Sequence, residues 1–104
     1  MLCIVLTTLP DHASALKLAR KLVNARLAAC VQLGGGIESI YRWEGGIEET
    51  SEVPLLIKTL PWHIEEIKTV IGSIHPYEVP EILILNAEAT TAYLEWMQRE
   101  VGNA

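Results

Sequence analysis

The first third of the chain places a helical pattern between two apolar runs. Residues Leu2 to Leu6 are apolar without a break, which is typical of a strand buried on both faces. Asp11 can cap a helix of about four turns, whose apolar positions recur at helical spacing as far as Val23. A second apolar run covers Leu27 to Leu33. This order predicts a crossover unit with two parallel strands in one sheet.

The middle of the chain has the alternation of a long β-ribbon. Gly34 to Gly36 interrupt the second run, and because alternation resumes from Ile37 to Trp43 we expect a bend or bulge rather than a strand end. Gly45-Gly46 is a signal for a two-residue hairpin, and the returning strand reaches Leu60. Pro54 lacks an N–H and therefore marks an edge or a bulge.

The last third repeats the order of helix and strand. Apolar positions fall on one helical face from Pro61 to Ile74, and Pro80 opens a final strand from Glu81 to Leu85. Thr90 or Thr91 can cap a last helix. The candidates for burial on that helix are Tyr93, Leu94, Trp96, Met97 and Val101.

Together these elements predict one α+β domain over residues 1–104. Their order is the ferredoxin-like split βαβ pattern, βαββαβ, followed by a C-terminal helix. If the hairpin runs from Leu27 to Leu60, each arm is about fifteen residues, or roughly 50 Å, far longer than an average strand. A two-stranded ribbon is marginal alone, so we expect a closed homo-oligomer to cover it, or alternatively a foreign partner.

Composition excludes several functional classes. The net charge is -5, from 8 basic and 13 acidic residues without a basic cluster, which argues against binding to nucleic acid or an anionic membrane. Neither a membrane span nor a signal peptide is predicted. Cys3 and Cys30 lie in apolar segments of a chain that needs no disulfide, so we expect both to be reduced and the protein to be cytoplasmic.

The connector from His75 to Ile82 concentrates polar side chains that can bind a ligand, namely an imidazole, a phenol and two carboxylates. Pro76 and Pro80 stiffen it, so its polar side chains have few orientations. It is either a binding loop or simply a helix end followed by a strand start, with Tyr77 over the core edge.

Four segments in order resemble the CutA divalent-cation tolerance family. They are Arg26-Leu27-Ala28-Ala29-Cys30-Val31, Ser39-Ile40-Tyr41-Arg42-Trp43-Glu44-Gly45, Glu52 with Leu55 to Thr59, and the connector. The resemblance implies a ferredoxin-like protomer, a homotrimer built through the ribbon edges, and an architecture like that of the PII signalling proteins. It also implies a part in tolerance of copper and other divalent metals in the cytoplasm.

Candidate metal ligands are Cys30 and His75, with Glu52, Glu81 and Cys3 as further possibilities. Sulfur and imidazole favour copper or zinc over magnesium. No short CxxC or HxxxH spacing is present, so a site has to be assembled from distant strands or from neighbouring subunits.

A small-molecule site is the second hypothesis. Lys58 lies in an apolar strand, where its ammonium either pairs with Glu52 or Glu81 or meets an anionic ligand. If Lys58, Tyr77, His75 and Trp43 converge at a subunit cleft, they can hold a carboxylate or phosphate. The corresponding ligand-binding candidates are Trp43, Glu52, Lys58, Tyr77 and Glu81.

Catalysis is not predicted, because no nucleophile has an identifiable base and orienting group. His12 and His63 are expected at the surface, at helix starts. The leading hypothesis is therefore a non-enzymatic homotrimer that binds metal weakly or a small ligand at its subunit interfaces. The alternative is a PII-like adaptor that contacts a protein partner and binds metal only incidentally.

Overall fold

Five strands and three α-helices form between residues 1 and 103, which the computed structural model of the chain describes. A single 3₁₀ turn precedes α2 within the same residues. The elements are β1 (Leu2–Leu9), α1 (His12–Asn24), β2 (Cys30–Leu33), β3 (Ile37–Trp43), β4 (Gly46–Thr59), the 3₁₀ turn (Pro61–His63), α2 (Ile64–Ile74), β5 (Leu83–Ala87) and α3 (Thr91–Val101).

The sheet has the strand order β2-β4-β1-β5, and β3 pairs with the far half of β4. Both β1 and β2 are antiparallel to β4, so they run parallel to each other on its two sides. The predicted crossover unit and the ferredoxin-like α+β fold are therefore confirmed.

The two faces of the sheet carry separate cores. On one face, α1 and α2 bury Leu18, Leu22, Ile67 and Ile71 against a strand residue such as Ile57. On the other face, α3 packs Met97 and Val101 over Leu2 and Leu60. As predicted, α3 turns an apolar side inward, although Tyr93, Leu94 and Trp96 are only partly buried. Because α3 covers one end of its face, Leu83 and Leu85 stay about half exposed.

Gly34 to Gly36 separate β2 from β3, so the bulge that the three glycines predicted is present, but the strand also ends there, contrary to expectation. Leu33 pairs with Leu55 and Ile37 pairs with Glu52, so the first arm uses one more residue than β4 between these pairs. Gly34 donates its N–H to the Pro54 carbonyl at 2.9 Å. Pro54 has no N–H to return, which ends the regular ladder there. The prediction of a bulge at Pro54 is correct and that of an edge is wrong, because β4 lies between β1 and β2.

The hairpin turn lies one residue earlier than the sequence suggested. Trp43 pairs with Gly46, so the two turn residues are Glu44 and Gly45, with φ of 48° and 80°. Two positive φ values are the signature of a type I′ turn, whose twist matches that of the flanking strands. Beyond the bulge, β3 and residues 46–52 of β4 form a two-stranded extension, called the ribbon below, in a molecule that is 45 Å long.

Several strand boundaries differ from the prediction by two or three residues. The second strand begins at Cys30 rather than Leu27, because Leu27 and Ala28 both donate to the Leu22 carbonyl and so terminate α1. The last strand runs from Leu83 instead of starting at Glu81.

The prediction of a surface position for His63 is wrong. His63 is buried, and its Nε2 lies 2.7 Å from the Val101 carbonyl oxygen at the end of α3. The 3₁₀ turn directs this ring towards α3, so the contact depends on tertiary packing that the local sequence does not reveal. His12, in contrast, is exposed at the start of α1, as expected.

Candidate functional site

A cavity of about 740 Å³ lies between the ribbon and the connector. The ribbon supplies residues 39–41, 43, 44 and 52, the connector supplies residues 77–81, and β1 supplies Thr8 between them. The cavity exists because β4 continues past the end of β1 and carries β3 out beside the connector.

The lining combines aromatic rings with carboxylates. The rings are those of Tyr41, Trp43 and Tyr77. The carboxylates are those of Glu44, Glu52, Glu78 and Glu81, of which Glu52 is buried and the other three are exposed. Within the described chain, no lysine, arginine or histidine belongs to this lining. The cavity is therefore negative, with apolar walls.

Glu52 is the buried charge of the site. Its side chain is only 6% exposed, and its Oε2 accepts a hydrogen bond of 3.1 Å from the Thr8 hydroxyl. Among residues 1–103 the ion pairs are Arg26 with Glu100 and Lys68 with Glu65, so none involves Glu52. A buried carboxylate is costly unless it is paired or fully hydrogen-bonded, which makes this group unusual.

The pKa of Tyr77 is affected by the Glu52 charge. Burial raises the pKa of the Tyr77 phenol above its ordinary value, and the nearby Glu52 carboxylate and Tyr41 raise it further. A negative phenolate beside a carboxylate is unfavourable, so the phenol stays protonated and can donate a hydrogen bond towards Glu52. The Tyr77 and His75 rings also pack against each other, with centroids 4.9 Å apart.

His75 holds the connector to β1 through both ring nitrogens. Its Nε2 is 2.6 Å from the Thr8 carbonyl oxygen, and its Nδ1 accepts the Tyr77 backbone N–H at 3.1 Å. Since Nδ1 accepts, the hydrogen lies on Nε2, which donates to Thr8. Neither nitrogen is left free for a metal ion unless one of these bonds is broken.

The Thr8 carbonyl needs this donor because the sheet offers none. Pro54 directs its carbonyl towards Gly34, away from β1, so Thr8 and Pro54 are a pair without hydrogen bonds between them. In such a pair the backbone groups of both residues point outwards, so the Thr8 carbonyl points towards the β5 side. The last pair along β1 is Leu6 with Leu83, which is the first residue of β5, so β5 does not reach the position beside Thr8. The His75 imidazole therefore makes the hydrogen bond to Thr8 that the next residue pair of the ladder would otherwise make, which explains why β5 does not start at Glu81.

Four of the five predicted ligand-binding residues meet in the cavity. Trp43, Glu52, Tyr77 and Glu81 line it together. Lys58 does not, because it pairs with Cys30 and Ile4 across β4, and its Nζ lies 6.0 Å from the centre of the Tyr93 ring on α3. The lysine expected to hold an anion is thus absent from this lining.

The two predicted metal ligands are not adjacent within one protomer. Cys30 pairs with Lys58, four residues along β4 from Pro54, and Pro54 pairs with the Thr8 that His75 contacts. Four residues of strand correspond to about 13 Å. Residues 1–103 contain no group of three or more His, Cys, Asp and Glu side chains arranged to hold a metal.

Thr8 and Tyr41 are site residues that the sequence did not single out. Thr8 lies in β1 just after the apolar run, and its hydroxyl and its carbonyl contact Glu52 and His75. Tyr41 alternates with Trp43 on one ribbon face, so the alternation that selected Trp43 also offered a signal for Tyr41.

Comparison with known proteins identifies relatives along almost the whole chain. The profile of the family described as CutA1 divalent ion tolerance protein matches residues 3–100. A divalent-cation tolerance protein CutA from Thermus thermophilus is 42% identical over 100 residues, which are 95% of this chain and 97% of the relative. Its counterpart from Pectobacterium atrosepticum is 43% identical over 95 residues, 90% of this chain and 86% of the relative.

Solved structures agree with this result. The Cut A1 structure from Thermus thermophilus superposes with a TM-score of 0.93 at 42% identity, covering 98% of this chain and 100% of that chain. CutA1 from Shewanella sp. SIB1 gives 0.93 at 37% identity, with coverages of 98% and 96%. A CutA from Archaeoglobus fulgidus, named as periplasmic, gives 0.93 at 28% identity, with coverages of 97% and 99%. In the part of the chain that the structure describes, no helix is long and apolar enough to cross a membrane.

Proposed function

The chain belongs to the CutA1 divalent ion tolerance family, and on this premise we propose that it contributes to divalent-cation tolerance as a non-enzymatic, cytoplasmic homotrimer. It binds divalent metal weakly, or a small ligand, at cavities beside its subunit interfaces. The observation that carries the proposal is the buried Glu52 carboxylate in an acidic cavity.

Cation binding follows from the electrostatics of that cavity. Four carboxylates surround it and no basic side chain of residues 1–103 lines it, so its potential attracts cations. Their spacing provides no ready-made metal cage, which agrees with weak rather than tight binding. Copper is a candidate if Cys30 or His75 takes part, and such a site needs ligands from a second protomer.

The homotrimer is supported by apolar surface that the protomer leaves uncovered. On the ribbon, Ile40 and Ile47 are 67% and 65% exposed. On the sheet face beyond α3, Leu83 and Leu85 are about half exposed. A two-stranded ribbon with unpaired edges gains stability when another strand covers it, and a second copy of the chain supplies one.

Titration calorimetry with Cu²⁺ and Zn²⁺ tests the metal part of the proposal. We expect saturable heats for the native chain that are reduced in Glu52→Gln, Cys30→Ala and His75→Ala. Because His75 also holds the connector, His75→Gln is included to separate ligation from folding, and Glu95→Gln on α3 is the matched acidic control. Heats equal to buffer dilution in the native protein contradict metal binding.

Light scattering at several concentrations tests the assembly. A mass three times that of the 11.5 kDa chain is expected, and a monomer contradicts the trimer. Cell fractionation tests the cytoplasmic location, for which the two free cysteines are the supporting observation. Recovery in a periplasmic fraction, as the name of the Archaeoglobus relative suggests for that protein, overturns it.

A PII-like adaptor is the second candidate, favoured by the ribbon tip. Ile47 projects there opposite its cross-strand partner Arg42 and among the exposed Glu44, Glu48 and Glu49. An apolar side chain inside a mainly acidic rim is suited to a protein partner with a mainly basic rim. Loss of a captured partner on Ile47→Asp, with metal heats unchanged, favours this candidate over the first.

A further inference from the structure

The Glu52 carboxylate faces a cavity without a counter-ion in the described chain. It is 94% buried, its hydrogen bond comes from a neutral hydroxyl, and the cavity lining contains no basic side chain. The free energy of a buried carboxylate falls when a cation reaches it. A ligand that carries positive charge therefore stabilises the site as built.

The size of the cavity separates two kinds of cation. At about 740 Å³, it falls in the range of pockets for small organic molecules and far exceeds the space of one metal ion. Divalent metals also require several ligands within about 2 to 2.6 Å of one point. Residues 1–103 present no such group of His, Cys, Asp and Glu.

The aromatic walls select for an organic cation. Tyr41, Trp43 and Tyr77 line the space that Glu52 faces. Ring faces attract ammonium groups and also contact the methyl or methylene groups attached to the nitrogen, whereas a hydrated metal ion makes no such apolar contact. A buried carboxylate with three rings around the same space is the combination that an ammonium head group requires.

We propose that this cavity binds an organic ammonium ion, with the charged nitrogen on Glu52 and its carbon substituents against Tyr41, Trp43 and Tyr77. The inference rests on the proposed use of the cavity for cations and names the chemical class of its ligand. Metal ions then compete for the same carboxylate as weaker occupants.

Two ammonium probes and their neutral analogues test the proposal by titration calorimetry on the full chain. Choline is compared with its neutral carbon isostere dimethylbutanol, and protonated butylamine with butanol. We expect each ammonium ion to bind about tenfold or more tightly than its neutral analogue, since the analogue has the same shape but lacks the charge.

Two variants locate the binding. Glu52→Gln keeps an oxygen that can accept from Thr8 and is expected to weaken choline about tenfold or more. Trp43→Leu is expected to weaken choline severalfold while leaving the Glu52 contact in place. Glu95→Gln, an exposed acid on α3, is expected to leave choline binding unchanged. Urea unfolding midpoints confirm that each variant is folded.

The inference is overturned if neither ammonium ion binds more tightly than its neutral analogue, or if folded Glu52→Gln binds choline like the native chain. Zn²⁺ titrations of the same samples distinguish the two proposals. Zn²⁺ binding without ammonium preference removes the inference and leaves the metal proposal standing. Ammonium preference without a Zn²⁺ heat supports the inference and removes weak metal binding from the proposed function.

Discussion

Replacing His75 with phenylalanine removes two hydrogen bonds while keeping an aromatic ring against Tyr77. The ring is 9% exposed, and its Nε2–H gives the 2.6 Å bond to the Thr8 carbonyl, which lies beyond the end of β5. In His75→Phe that carbonyl stays buried without a donor, because Pro54 and β5 supply none.

The magnitude follows from the two lost bonds. Leaving a buried carbonyl unsatisfied costs about 1–3 kcal/mol, and loss of the part-buried bond from the Tyr77 N–H adds roughly 1 kcal/mol. We therefore expect the free energy of unfolding to fall by about 2–4 kcal/mol. For a domain of this size each kcal/mol corresponds to at least about 4 °C in Tm, so Tm should fall by about 8 °C or more.

Urea unfolding followed by tryptophan fluorescence measures the change, with all variants at one protein concentration because assembly couples to stability. His12→Phe is the matched control, since His12 is exposed, and a change within about 0.5 kcal/mol is expected there. His75→Gln, which keeps a donor, should lose less than His75→Phe. A His75→Phe variant as stable as the native chain refutes the role assigned to the imidazole.

Three further predictions concern single groups. The hydrogen bond from the Ser14 N–H to the N-cap residue Asp11 lowers the pKa of that carboxyl. Its stabilising effect is therefore fully present above the unfolded pKa of about 3.9 and is lost as pH falls through the lower folded value. Asp11→Ala should reduce the urea midpoint at pH 7 but not at strongly acidic pH, and a difference between native and variant midpoints that is the same at both pH values contradicts the cap. Gly45→Ala, at φ 80° with open space around it, should cost about 1–2 kcal/mol of ribbon stability by amide exchange, whereas Gly46→Ala should cost less. Glu52→Gln should lower the pKa of Tyr77, measured by NMR titration, and an unmoved titration excludes the carboxylate as a cause.

Periodicity was enough to predict the fold because burial on each element depends on local spacing. The apolar runs identified β1, the two arms of the hairpin and β5, and the helical faces identified all three helices. Boundaries were less accurate, since they depend on hydrogen bonds between distant residues. The start of β5 at Leu83 is set by His75, which lies on another element.

The candidate site was predictable only in part for the same reason. Tyr77 and Glu81 could be singled out because the connector contains several polar side chains able to bind a ligand, and Trp43 could be singled out by the alternation of side chains along the ribbon. Nothing local indicated that β4 carries Glu52 to Thr8 while placing Lys58 beneath α3. Glu52 lies at the middle of β4 and Lys58 lies six positions further on, near its end, with the bulge between them.

The central place of β4 also dictates the order in which the protein can fold during synthesis. β1, β2 and β3 all pair with β4, and the pairing of β1 with β4 is complete only when Cys3 pairs with Thr59. Until β4 leaves the ribosome, the apolar side of α1, including Leu18 and Leu22, has no sheet to cover it. The nascent chain therefore exposes this apolar surface while residues 25–59, about a third of the chain, are being added, and that interval is when a chaperone has most to protect.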